Sequence, residues 1–564
     1  MAFPLAERRP MEENDAMKTL ARFAYLLFVL TCAAAAARAE TADGRAAPLL
    51  DGMGGHHFPV STEVALAQRY FDQGMVLAYG FNHAEAARSF REASRLDPEC
   101  AMCYWGAALV LGPNINAAMD LEGVPEAWAA VEKARALAAG ATPREKALID
   151  ALARRYAPEP PEDRASLDAA YADAMREVSG RFPDDAEAAT LFAEALMDTM
   201  PWDYWRADGE PKEATREVLA TLERVMERHP DHPGANHLYI HAVEAVRPEL
   251  GVAAADRLGS LAPGAGHLVH MPSHVYLRVG RYHDASLANE RAIAADQDYV
   301  TQCHEQGMYP LAYMPHNFHF LWAAATLEGR GATALEAARA MAAKTDTAMM
   351  REEGYGTLQH YWATPLYAQA RFGKWREILD APEPAADLVY PRGVWHYARG
   401  LALVRAGKTV DAEASHAALA AVLRDPALEK VTIWDINAAA DLLAIASEVL
   451  AGEIAAAKGD HDDAVHRLEQ AVRLEDALRY DEPPPWHHPT RQVLGAVLLA
   501  AGRAADAERV YREDLERLPE NGWSLFGLEK SLAAQGRTEE AKDVGRRFDS
   551  AWQHADVELT ASRL

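Results

Sequence analysis

Cysteine is scarce in this sequence, with four in 564 residues, too few to read as a disulfide scaffold. Clusters of Val, Ile and Thr are sparse as well, which argues against a sheet-based fold. Basic residues are outnumbered: 57 Lys and Arg stand against 84 Asp and Glu, for a formal net charge of −27. A surface this acidic repels phosphate backbones, so nucleic acid is excluded as a natural partner, whereas cations or basic peptides suit it. Motifs for nucleotide and acyl chemistry are missing too: there is no P-loop, no G-x-G-x-x-G after a strand and no G-x-S-x-G elbow. Beyond the N-terminal region, no apolar stretch is long enough to span a bilayer.

What is present points to helix. Half of the residues are hydrophobic, more than a disordered chain carries, and alanine, the strongest helix former, recurs throughout. From Met17 the sequence reads MKTLARFAYLLFVLTCAAAAARAE. Lys18 and Arg22 form a basic n-region, Phe23 to Ala37 an apolar core too short for a comfortable span, and Ala37-Arg38-Ala39 an A-x-A cleavage site. Residues 1–39 are therefore predicted to be a secretory signal peptide with Met17 as the true start. The mature chain is expected to be soluble and periplasmic or secreted. Cleavage removes Cys32 and leaves Cys100, Cys103 and Cys303.

A spaced pattern recurs along the chain. Residues 67–100 fit a helix-pair unit of about 34 residues: Tyr70 and Gly74 take positions 4 and 8, and Ala86, Phe90, Ala93 and Pro98 take positions 20, 24, 27 and 32. Another copy starts near 266, with Gly280, Tyr282, Ala285 and Ala292 at positions 15, 17, 20 and 27. A third starts near 488, with Gly502, Ala507, Tyr511 and Pro519 at positions 15, 20, 24 and 32. Weaker copies surround Gly329, Gly373, Gly407 and Gly536. These are the marks of tetratricopeptide repeats (TPR). They predict an all-α solenoid of stacked antiparallel helix pairs, irregular in the centre, where 296–315 breaks the period. Residues 40–60 read as an exposed lead-in. The Pro-rich stretches 157–164 and 481–489 should interrupt helices. The expected divisions are 61–160 and 481–564 as TPR units, with 161–480 as a central helical region.

The stretch from Tyr70 to Asn116, containing CAMCYWG, resembles the opening of a family of large secreted bacterial TPR proteins. HMPSHVYLRVGRY (His270 to Tyr282), PHNFHFL (Pro315 to Leu321) and PPPWHHPTRQVLG (Pro483 to Gly495) resemble its later blocks. The resemblance covers nearly all of the mature chain. It implies a TPR-like helical fold and export, and no particular activity.

Eleven of the 22 histidines lie between residues 229 and 319. Counting back from Gly280, His267, His270 and His274 occupy unit positions 2, 5 and 9, which face the concave side of a TPR superhelix. Counting back from Gly329 puts His316 and His319 at positions 2 and 5, and from Gly373 puts His360 at position 2. His237 and His241 form an i, i+4 pair on the preceding helix, with Glu244 close behind. Imidazoles so placed suit copper or zinc, and His237, His241, His270, His274, His316 and His319 are the candidate ligands. His267, Glu244, Tyr313, His360, His487, His488 and Arg491 are candidate groove residues. Pro272 should break the helix between His270 and His274. Leu238 stands where the Glu of H-E-x-x-H would be, which disfavours a zinc protease.

Cys100 and Cys103 form a CxxC in the first turn of a helix, either a disulfide or a redox pair. The leading expectation is an exported scaffold whose His-lined groove holds a transition metal, a peptide or protein ligand, or both. A copper- or zinc-dependent oxidase or hydrolase, and a metal-free protein-binding adaptor, are the alternatives.

Overall fold

The computed structural model describes residues 45–161, 163–302, 309–486 and 488–564. The signal peptide expected at 1–39, the start of the lead-in, Cys303 and the candidate His487 lie outside the described residues. The described chain is a TPR-like α-solenoid. Helices follow one another from Ala65–Tyr79 to Thr538–Ala551, each packed on its neighbours in sequence. Among the described residues the one sheet is a small hairpin, Thr432–Ile433 against Asn437–Ala438.

The repeat glycines reverse the chain. Gly280, Gly329, Gly373, Gly407, Gly502 and Gly536 all have φ between +64° and +82°, a left-handed conformation that L side chains rarely adopt. Packing repeats with the turns. The Phe90 ring lies between two helices whose contact residues are glycines: a Cβ on Gly74 or Gly106 would stand 2.6 or 2.5 Å from it. At the other end Tyr511 fills the same unit position between Gly495 and Gly527. Burying each ring stabilises the stack by about 2–3 kcal/mol.

An extended N-terminal segment and the folded-back C-terminal units tie the solenoid together. Residues 45–60 are only partly exposed: Asp51, Gly52, Gly54, Gly55, His57 and Pro59 face solvent, while Ala47 and Phe58 are fully buried and anchor the segment. Side-chain acceptors satisfy the strap's backbone, with Leu50 N donating to Gln73 Oε1 (2.8 Å) and Ala46 N to Glu92 Oε2 (2.9 Å). At the other end the C-terminal units fold back on the middle. Trp523 Nε1 donates to Thr326 O (2.8 Å) and Tyr282 Oη to Pro519 O (2.7 Å). Asp556 caps the Gly331–Lys344 helix through Gly331 N and Ala332 N.

Two large apolar cores result, one running from Ala47 to Leu327 and one from Leu321 to Leu559. The Met314–Glu328 helix belongs to both: Phe320, Ala324 and Leu327 face the first, and Leu321, Trp322 and Ala325 the second. That shared helix carries His316 and His319.

Candidate metal centre

Helix starts place the histidines. His232 caps the Pro233–Val243 helix, its Nδ1 accepting from Ala235 N, and Pro233 sits in the first turn, where no N–H is missed. His237 and His241 then share one face. Pro272 does begin a new helix, Pro272–Arg278, after Gly266–His270. Met271 between them keeps helical angles (φ −52°, ψ −35°), so His270 is not turned away. Its Nε2 lies 3.0 Å from His274 Nε2. The expected break is present and leaves the register intact.

The imidazoles form a continuous run, and the six predicted ligands do not share a single point. The ligand nitrogens of His237, His241 and His267 lie within 4.8 Å of one another, as do those of His270, His274 and His316. The trios touch through His267–His270 and His241–His274, with ring centroids 5.8 and 5.9 Å apart. His319 lies beyond His316 and packs on His360, 5.4 Å away. A tetrahedral ion with bonds near 2.1 Å needs nitrogens about 3.4 Å apart, within a small rotamer adjustment of each trio.

Hydrogen bonds set the tautomers. His237 Nδ1 donates to Tyr79 O (2.6 Å), and His241 Nδ1 lies 3.1 Å from Glu244 Oε1. The Nε2 atoms of both, and both nitrogens of His267, are buried without a hydrogen-bond partner. Neutral imidazole with Nδ1–H on an oxygen and a free Nε2 is the form that binds metal. Burial pushes the His237 and His267 pKa values well below the ordinary range, with neighbouring histidines adding to the effect. Burial would lower His274 too, but Glu244 and Glu482 override it and raise it to about 10. Both carboxylates lie 3.0 Å from His274 Nδ1. Burial works against ionised Glu244, yet His274 and His241 hold it below the usual carboxylate range.

These rings are not the wall of an open groove. Exposure is 0% for His237 and His270 and at most 5% for His241, His267 and His274. Aromatic residues close them in, three of them on left-handed backbone. Phe81 (φ +54°), at the unit position where the later repeats have glycine, packs on His237, His241 and His267. Trp202 (φ +62°) follows Pro201 in a turn and packs edge-on against His241. Trp434 (φ +53°), at the tip of the small hairpin, packs against His316. Such backbone costs about 1–3 kcal/mol per residue and tends to collect at functional sites.

The repeat itself changes here. Position 24, held by Phe90 and Tyr511 at the ends, is Asn289 in the unit that begins at 266, and Asn289 Oδ1 lies 2.7 Å from His270 Nδ1. Position 6 of the next unit, a glycine at the ends, is Phe320, packed on His270, His274 and His316. Sequence reasoning missed Asn289, Glu482, Phe81, Trp202 and Trp434 as parts of this site. Asn289 was findable as a polar residue at an aromatic position.

Of the other candidates, Tyr313 packs against His267 at 4.8 Å and accepts from Asn116 Nδ2. Arg491 is held away by a two-bond ion pair with Asp476 (2.7 Å each). His488 is buried in the segment before the Thr490–Ala500 helix. It is Glu482 from that stretch that reaches the histidines. Cys100 and Cys103 are joined in a fully buried disulfide. A further cluster, His56, Glu187 and His232, differs in tautomer. His232 Nδ1 accepts a backbone N–H, so its Nε2 carries the proton and faces Glu187 (3.3 Å). That nitrogen offers a metal no lone pair.

No family model matches the chain, and no curated protein does. Among solved structures it is similar to the human IFIT1 dimer with m7Gppp-AAAA, at 12% identity and TM-score 0.28, over 87% of this chain and 90% of that one. It is also similar to the P58(IPK) TPR domain, at 12% identity and TM-score 0.22, over 84% and 99%. A third is Naa15/Naa10 bound to HypK-THB, at 12% identity and TM-score 0.23, over 86% and 71%. Likeness at this level carries nothing about what this chain binds. The class is a TPR-like α-solenoid with a buried histidine array at its irregular centre.

Proposed function

We propose that this chain is an exported TPR-like scaffold that holds a transition metal, copper or zinc, on His237, His241 and His267. One observation carries the reading. His237 and His241 each commit Nδ1 to an oxygen and leave a buried, unpaired Nε2 beside His267, which has no hydrogen-bond partner on either nitrogen. An orphaned buried acceptor costs about 1–3 kcal/mol, and one cation shared by three lone pairs removes that cost. Three imidazoles without thiolate suit zinc or copper and leave a fourth position open. A peptide finds no surface on rings this buried, so the metal reading is favoured here over the adaptor reading. Export rests on the signal-peptide pattern, and membership of the secreted bacterial TPR family on the CAMCYWG, HMPSH, PHNFHFL and PPPWHHP blocks.

The test is elemental analysis of protein made without a His tag. We expect stoichiometric copper or zinc, with the ion held by this trio lost in His237→Ala and His267→Ala while circular dichroism stays helical. Protein that retains neither ion after reconstitution and desalting would return the chain to the metal-free adaptor class. The oxidase or hydrolase reading is supported by Trp202, which is 44% exposed while packing on His241. It requires azide to perturb the spectrum of copper-loaded protein, and an unchanged spectrum makes the ion structural.

A further inference from the structure

We infer that the array holds a second ion, on His270, His274 and His316, and that Glu244 couples it to the first. The inference depends on the first site being a metal centre only through that shared carboxylate.

Asn289 Nδ2 donates to Ala285 O (2.8 Å), which fixes its amide so that Oδ1 faces His270 Nδ1 at 2.7 Å. His270 Nδ1 therefore carries the hydrogen, and Nε2 has the lone pair. Glu244 Oε2 and Glu482 Oε2 each lie 3.0 Å from His274 Nδ1 as ion-pair contacts without hydrogen-bond alignment, and two carboxylates at that distance favour a hydrogen on that nitrogen. The two Nε2 atoms point at each other across 3.0 Å. Two lone pairs at that distance repel unless a positive centre lies between them.

A proton on His274 is one such centre, and a metal ion is the other. His316 decides between them. It is the third member of the trio, and its Nδ1 is buried with no hydrogen-bond partner. A proton shared by His270 and His274 leaves that atom unsatisfied, whereas an ion can take a nitrogen from all three rings. The supports are those a metal site uses: an amide oxygen behind one ligand and carboxylates behind another. They are also built at a cost to the repeat, since Asn289 displaces the aromatic that packs this position at both ends of the solenoid.

Glu244 makes the two ions one unit. Its Oε1 lies 3.1 Å from His241 Nδ1 and its Oε2 3.0 Å from His274 Nδ1. One buried anion thus orients a ligand in each trio and lies between two cations that would otherwise repel. Glu482 brings a second carboxyl group from a distant part of the chain, with burial pushing its pKa up and His274 pulling it down.

The experiment is zinc titration of the chelator-stripped full chain against a chromophoric competitor, with elemental analysis after desalting. We expect two zinc ions per chain in the wild type and one each in His316→Ala and His267→Ala. In Glu244→Gln both affinities should fall by about 10–100-fold. Asn289→Leu alters no ligand and puts an apolar side chain at a position that is aromatic in the end repeats, so it guards against misfolding of the histidine variants. It should weaken one zinc by about tenfold or more and leave the other unchanged. One zinc in the wild type, retained in His316→Ala and lost in His267→Ala, overturns the second ion and preserves the first. No zinc or copper in the wild type removes both.

Discussion

His360 is fully buried, with Nδ1 2.8 Å from Tyr390 Oη and Nε2 without a hydrogen-bond partner. Burial lowers its pKa to about 4, and the groups that face it, His319, Tyr367 and Tyr390, offer no countercharge. The unfolded imidazole titrates near 6.5. Between those values the unfolded chain binds the extra proton, so stability falls as pH drops from 6.5 towards 4 and is level above about 7. At pH 5 the loss from this residue is about 2 kcal/mol. Urea unfolding of metal-free protein at pH 7.5 and 5.0 should show that loss, and His360→Gln should shrink the difference by the same amount. An undiminished difference in the variant would show that His360 is protonated in the folded state. Burial also lowers His237, His267, His270, His316 and His319, so they add to the fall. The register of these histidines was legible from sequence because helix positions fix which side chains share a face. Phe81, Trp202 and Trp434 could not be placed around them, because their left-handed turns use residues that turn rules would not choose.

At the scale of elements, the glycine contacts set how closely helices stack. Gly106 lies on Ala101–Leu109 directly against the Phe90 ring. Gly106→Ala should push that ring off its rotamer and destabilise the protein by about 1–3 kcal/mol. Phe90→Leu in the same chain should recover part of the loss, because contacting sites are not additive. Thermal unfolding of the four proteins measures the coupling, and strict additivity would mean the ring does not bear on the glycine. The helix pairs and their turns were readable because small and large residues recur at fixed positions. The strap at 45–60 was not, since nothing local distinguishes a Gly- and Pro-containing segment that hangs free from one whose N–H groups meet Gln73 and Glu92. Glu482 was hidden for the same reason: only the fold-back of the C-terminal region brings it to His274.

Across the whole molecule, two cores share the Met314–Glu328 helix, and the histidine array lies at that junction. The first trio belongs to helices of the N-terminal core. The second includes His316 from the shared helix and is backed by Glu482 from beyond it. Metal should therefore bind the halves into one cooperative unit. Calorimetry of chelator-treated protein should show two transitions, and zinc-loaded protein a single later one. An ion at a hundred times its Kd adds about 3 kcal/mol. Identical traces with and without zinc would mean that the halves are joined by packing alone. The burial of the array has a consequence for timing. Ligands spread from His237 to His316, with Glu482 behind them, exchange an ion with solution slowly once the cores have set. Capture during folding is the faster route. The first occupant is therefore decided by which ion is available where the chain folds. For a chain that folds after export, the surroundings outside the cell membrane would choose the metal.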